Sequence, residues 1–165
     1  MPYNGMLAET INLKEHEGDQ IDAYLARPLG SGPFPGVVLI HHMPGWDEAS
    51  KEMARKLAYN GYACISPNLH FREGKGTSQE NSASVAAAGG MPDARTMADV
   101  AAAAGVLRSL PYHNGKVGII GFCSGGRQVY LAAGTVSGID AAVDCWGGGV
   151  VCPPDALTER QPVAP

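Results

Sequence analysis

The run Gly121-Phe122-Cys123-Ser124-Gly125-Gly126 is the segment of this sequence best suited to covalent chemistry. A nucleophile with glycine two residues away on each side fits a sharp, strained turn between a strand and a helix, where larger neighbours would hold the two elements apart. Gly121 and Gly125 meet that requirement around Cys123. Ser124 has a usable hydroxyl, but the residue two before it is Phe122, which does not fit such a turn. Cys123 is therefore the candidate nucleophile. A helix starting at Ser124 would aim its N-terminal partial positive charge at the sulfur and favour the thiolate. The Ser124 N–H would then be a natural donor to an oxyanion formed by attack at Cys123. A second donor is expected from the loop Ile40-His41-His42-Met43-Pro44-Gly45. Met43 is its candidate, because Pro44 has no N–H. The competing reading is an inert cysteine buried in a glycine-rich turn.

Such a turn needs a strand before it and a helix after it, and the pattern supplies both. Val117-Gly118-Ile119-Ile120-Gly121 reads as a buried strand and Ser124 to Ala133 as a helix. Upstream, Ala8–Leu13 and Ile21–Arg27 alternate in character around Glu17-Gly18-Asp19 and predict a β-hairpin. Val37–Ile40 is a continuous apolar run, the mark of a strand covered on both faces. The spacing of Ala49, Met53 and Leu57 predicts a helix over 47–59, with Asp47 as its cap and Asn60-Gly61 as its stop. Tyr62–Ser66 reads as a strand, 68–90 as a polar loop, Met91–Leu110 as a helix, and Ala141-Ala142-Val143 as a further buried strand. After Gly147-Gly148-Gly149 the chain is irregular and Pro-rich. Strands alternating with helices predict parallel βαβ units in a single α/β domain, with helices on both faces of the sheet.

Composition narrows the function. The 165 residues are 45% hydrophobic and 17% charged with a net charge of −4, so no basic cluster exists to neutralise phosphates or an anionic membrane. No apolar stretch approaches a membrane span, and the N-terminus lacks the pattern of a signal peptide, so a cytoplasmic location is expected. Of the four cysteines, Cys64 and Cys145 lie in apolar, strand-like runs and read as free, buried thiols; Cys152 follows in the Pro-rich end. There is no CxxC pair, no zinc-type His/Cys spacing and no GxGxxG loop, so neither metal nor nucleotide cofactor is expected. Trp146 stands at the end of a strand, where open α/β sheets bind ligands, and either lines a pocket or packs in the core. Asp140 and Asp144 flank the same strand and read as structural. His16 and His113 read as surface-turn histidines.

Val37–Gly45, Gly61–Leu69, Leu110–Gly126 and Ala142–Gly147 together resemble dienelactone hydrolase (carboxymethylenebutenolidase). The resemblance runs over essentially the whole chain, and the cysteine turn is its most specific part. It implies an α/β-hydrolase fold, mostly parallel with a leading antiparallel hairpin, and a small-molecule lactone or ester as substrate. It implies thiolate attack on an enol-lactone, an acyl-enzyme, and hydrolysis to an open-chain keto acid. The position of Arg72 implies an arginine that binds the substrate carboxylate, a task suited to its bidentate fork.

Two departures accompany the resemblance. His42 stands where the family carries a glutamate that contacts the nucleophile; a histidine there could act as base toward Cys123, or could form a loop pair with His41 that shapes the cleft mouth. The family's acid and histidine come after the nucleophile, whereas the last histidine of this chain is His113. The sixteen residues after Gly149 hold Asp155 and Glu159 but no histidine. The expectation is therefore a chain corresponding to the N-terminal two-thirds of a hydrolase, truncated before the last strands, with acid and histidine beyond residue 165. Two rivals stand beside this reading. One is a class I glutamine amidotransferase, which also carries Gly-x-Cys-x-Gly at a strand–helix turn. The other is a non-catalytic binding module on the same scaffold.

Overall fold

The structure, a computed structural model, describes residues 5–14 and 18–150. The elements are β1 (Met6–Lys14), β2 (Gln20–Pro28), β3 (Phe34–Ile40), α1 (Glu48–Tyr59), β4 (Ala63–Pro67), α2 (Ser78–Ala87), α3 (Asp93–Ser109), β5 (His113–Phe122), α4 (Ser124–Thr135) and β6 (Ala141–Cys145). A 3-10 turn, Phe71–Glu73, precedes α2. The strands form one sheet in the order β1-β2-β4-β3-β5-β6. β1 pairs antiparallel with β2, and β2 antiparallel with β4. The pairs β4–β3, β3–β5 and β5–β6 are parallel. The leading hairpin and the mostly parallel sheet behind it thus agree with the sequence pattern.

Alternation along β3 and β5 divides the core in two. Val38, Ile40, Val117 and Ile119 face α3 and α4, where they pack with Val100, Ala103, Leu107, Val129 and Ala132. Leu39 and Cys64 face the other way, against Ala54 and Ala58 of α1. Helices therefore cover both faces. Burying each of the larger side chains, such as Ile40, Leu107 and Ile119, contributes about 1.5–3 kcal/mol. Cys64 is fully buried, and burial pushes its thiol pKa up, so it is inert packing; Cys145, expected to be buried too, is only partly so, because it ends the exposed strand β6. Among the described residues no helix is long and apolar enough to cross a membrane.

Two further expectations need correcting. Residues 68–90 are not all loop, because Ser78–Ala87 is helical. The cause is local: Thr77 accepts from the Glu80 N–H, and the Glu80 carboxylate accepts from the Thr77 N–H, a complete capping box. The stretch Ala141-Ala142-Val143 is a strand but not a buried one. All three residues are exposed, Val143 by 49%, since β6 ends the sheet and among the described residues only one of its edges is paired.

Candidate active site

Cys123 sits where β5 ends and α4 begins, with φ 53° and ψ −120°. For a residue with a Cβ this conformation costs on the order of 1–3 kcal/mol, so it persists only where its surroundings enforce it. The enforcing contacts are visible. The Cys123 N–H donates to the Cys145 carbonyl at 3.0 Å, tying the turn to β6. Its carbonyl accepts from the N–H groups of Gly126 and Arg127, at 2.9 and 3.2 Å, which starts α4. A Cβ on Gly121 would collide with the Gly125 carbonyl, and one on Gly125 would stand 2.7 Å from the carbonyl oxygens of both Ile40 and His41. The glycine spacing is therefore a steric requirement of this turn. The thiol is free and exposed.

Ser124 and Met43 come together around one cavity of about 170 Å³, which also borders His70, Met91 and Gln128. Among the described residues neither the Ser124 nor the Met43 N–H has a hydrogen-bond acceptor. The Met43 loop is held from behind, because the Ser82 hydroxyl of α2 donates to the Met43 carbonyl. The first turn of α4 is held by Arg127, whose fork meets the Asp93 carboxylate at 3.0 and 3.1 Å and so joins α4 to the start of α3. Sequence reading passed over Ser82 and the pairing of Asp93 with Arg127. The only available signal was the Thr77–Glu80 capping box, which would have put Ser82 on a helix.

Among the described residues His42 makes no hydrogen bond to Cys123; its ring is engaged by Asp47 instead. Its Nε2 lies 3.0 Å from Asp47 Oδ2, while Asp47 Oδ1 caps α1 by accepting from the Ser50 N–H at 2.9 Å. Burial alone would raise the Asp47 pKa, but the hydrogen bonds from Ser50 and His42 hold it below the usual value. His41 pairs with the same loop, its Nδ1 lying 3.1 Å from the His42 carbonyl oxygen. His41 is buried, and its ring meets that of His70 edge-on at 4.6 Å. Desolvation, helped by the neighbouring His70, lowers its pKa to about 3. Desolvation also lowers the His70 pKa, despite the opposing pull of Glu73.

Arg72 lines a larger cavity of about 580 Å³ that also borders Trp46, Phe71 and Lys75. Its fork is bidentate on Asp99, at 3.0 and 3.2 Å, and its Nε meets Asp19 at 3.0 Å. His70 borders both cavities and is the wall they share. Trp146 is 75% exposed and packs on Phe122, with ring centroids 5.6 Å apart. Asp140 is structural, as expected: it accepts from the Val117 N–H and pairs with Lys116. His16, Cys152, Asp155 and Glu159 lie outside the described residues. Among the described residues no three His, Cys, Asp or Glu side chains are grouped to hold a metal.

A mostly parallel sheet led by an antiparallel hairpin, with a strained cysteine between β5 and α4, defines a scaffold of the α/β-hydrolase type. The sequence model of the dienelactone hydrolase family matches residues 21–164, and the chain belongs to that family. A Methylorubrum extorquens protein provisionally named carboxymethylenebutenolidase is 32% identical over 163 residues, covering 97% of this chain and 55% of its own length. The carboxymethylenebutenolidase of Pseudomonas putida is 30% identical over 153 residues, covering 88% and 63%. A Klebsiella pneumoniae crystal structure provisionally described as a dienelactone hydrolase superposes with a TM-score of 0.77 at 30% identity, covering 87% of this chain and 61% of that one. The chain thus spans between 55% and 63% of the length of these relatives.

Proposed function

We propose that the protein hydrolyses small carboxylic esters of the enol-lactone kind through an acyl-enzyme on Cys123. The observation that carries this reading is the left-handed Cys123 backbone in a glycine-flanked strand–helix turn, with the thiol exposed and a helix N-terminus behind it. In the proposed sequence the Cys123 thiolate attacks the lactone carbonyl carbon. The resulting oxyanion accepts hydrogen bonds from the Ser124 and Met43 N–H groups. The ring C–O bond then breaks, leaving a thioester, and the departing enolate takes up a proton. Water attacks the thioester, releasing the carboxylate and restoring the thiol. The lactone and this water supply every atom, so no cofactor enters the scheme.

Arg72 is proposed to take the substrate carboxylate. Its contact with Asp19 is an exchangeable one, because Asp19 is 61% exposed and surface pairs contribute little. Asp99, 1% exposed, would keep the fork in place during that exchange. Trp146, with Phe122, is proposed to flank the mouth of the site. His42 is engaged by Asp47, so the base and acid of the triad are assigned to the part of the relatives' length that this chain does not cover. A cytoplasmic place of action belongs to the same proposal.

The test, on a protein that carries the triad's base and acid, is turnover of an enol-lactone and of an activated aryl ester, with mass spectrometry of the quenched enzyme. An acyl adduct on the Cys123 peptide, and loss of turnover in Cys123→Ala, are the expected results. Turnover that survives Cys123→Ala would overturn the mechanism. Release of ammonia from glutamine without ester turnover would favour an amidotransferase instead. Binding with no turnover of either would favour a non-catalytic module.

A further inference from the structure

Four buried polar side-chain atoms lack a hydrogen-bond partner among the described residues: His41 Nε2, Ser66 Oγ, His70 Nδ1 and Gln128 Oε1. Three of the four belong to residues that line one small cavity of about 20 Å³, which Ser124 and Gly125 of the nucleophile turn also border. An unpaired polar atom in such a place costs roughly 1–3 kcal/mol, so a cavity bordered by His41 and Gln128, each with one such atom, calls for an occupant. The volume admits a single water.

The chemistry of the walls selects the occupant. His41 Nδ1 faces the carbonyl oxygen of His42, which can only accept, so Nδ1 carries the proton and Nε2 keeps a lone pair. Gln128 Oε1 is a second acceptor. Two acceptors cannot bond each other, and a bridge between them needs a molecule with two donors. No acidic residue lines the cavity, so a cation there would be a buried charge without compensation. A neutral, water-sized molecule with two donors is water.

We infer that His41 and Gln128, walled by His70, hold one internal water that ties the first turn of α4 to the loop after β3. The two segments joined in this way carry Ser124 and Met43. In the catalytic reading, on which this last consequence rests, the water fixes the spacing of the two oxyanion donors. His41 and Gln128 are thus positioning residues, acting through the segments that carry the two donors.

The test is a crystal structure of the protein at about 1.5 Å together with Gln128→Met, which keeps the volume and removes the acceptor. The expected result is one density peak within about 3.2 Å of both His41 Nε2 and Gln128 Oε1. An empty cavity, a side chain filling it, or a direct His41–Gln128 hydrogen bond would overturn the inference. In Gln128→Met the peak should vanish and kcat should fall about tenfold or more, with KM nearly unchanged, since small displacements of catalytic donors are costly. A peak that persists in the variant overturns the role of Gln128. A lost peak with unchanged kcat overturns the link to the oxyanion donors. If Cys123→Ala stays active while the peak is present in the parent protein, the catalytic reading fails and the water site stands. If Gln128→Met does not fold, the parent structure alone decides whether the water is there.

Discussion

His41 makes the protein's stability depend on pH in a window where carboxylates are silent. Folded, its pKa is about 3; unfolded, it returns to about 6.5. The unfolded chain therefore binds the proton more readily. Stability is full above pH 6.5 and is lost as pH falls from there toward 3. Between pH 8 and pH 5 the two values give a loss of about 2 kcal/mol, rising to about 3 kcal/mol at pH 4. His70, also lowered by desolvation, adds in the same direction. Asp47, with its pKa held low, loses its contribution only below the ordinary carboxylate value of about 3.9, outside the range from pH 8 to pH 5. Urea unfolding at pH 8, 6 and 5 measures the slope, and His41→Gln removes the titrating group. The variant starts less stable, yet its loss between pH 8 and pH 5 should be smaller than that of the parent by about 2 kcal/mol. Parallel curves for parent and variant would refute the reasoning. So would an NMR titration of the parent in which His41 protonates near pH 6.5, a measurement that needs no variant.

Gly125→Ala should destabilise the fold by at least 2 kcal/mol and abolish turnover, because the new methyl would stand 2.7 Å from two carbonyl oxygens; denaturant melts and ester assays measure both. Arg72→Ala should cost about 3 kcal/mol, since it leaves the buried Asp99 carboxylate unpaired. A variant within about 0.5 kcal/mol of the parent would show that the pair does not matter to folding. Thr77→Ala should cost about 1 kcal/mol and loosen α2, seen as faster amide exchange over 78–87. Cys123→Gly should lose all turnover yet unfold at a higher urea concentration, gaining about 1 kcal/mol as the left-handed backbone becomes strain-free.

The parts of the fold legible in the sequence were those governed by short-range rules. Gly121 and Gly125 announce the turn at Cys123, Asp47 announces the start of α1, and alternation over 8–13 and 21–27 announces the hairpin. Helix α2 was missed because its alanine and serine residues show no apolar stripe, although Thr77 and Glu80 held the signal. The exposure of β6 was missed because three apolar residues in a row look alike whether or not a neighbour covers them. The partner of His42 could not be read either. His42 lies five positions before Asp47, a spacing set by the path of the loop and not by any helical or strand period. The Arg72–Asp99 pair is non-local for the same reason.

The left-handed backbone at Cys123 also bears on how this protein would behave under laboratory evolution. Selection for yield or solubility alone would reward any residue at 123 that relaxes the turn, with glycine first among them, and every such gain would discard the thiol. Selection for turnover would hold the thiol and look for its stability elsewhere, in the caps and pairs that bear on no substrate. A library passed through the two screens in parallel should therefore separate at this one codon before it separates anywhere else.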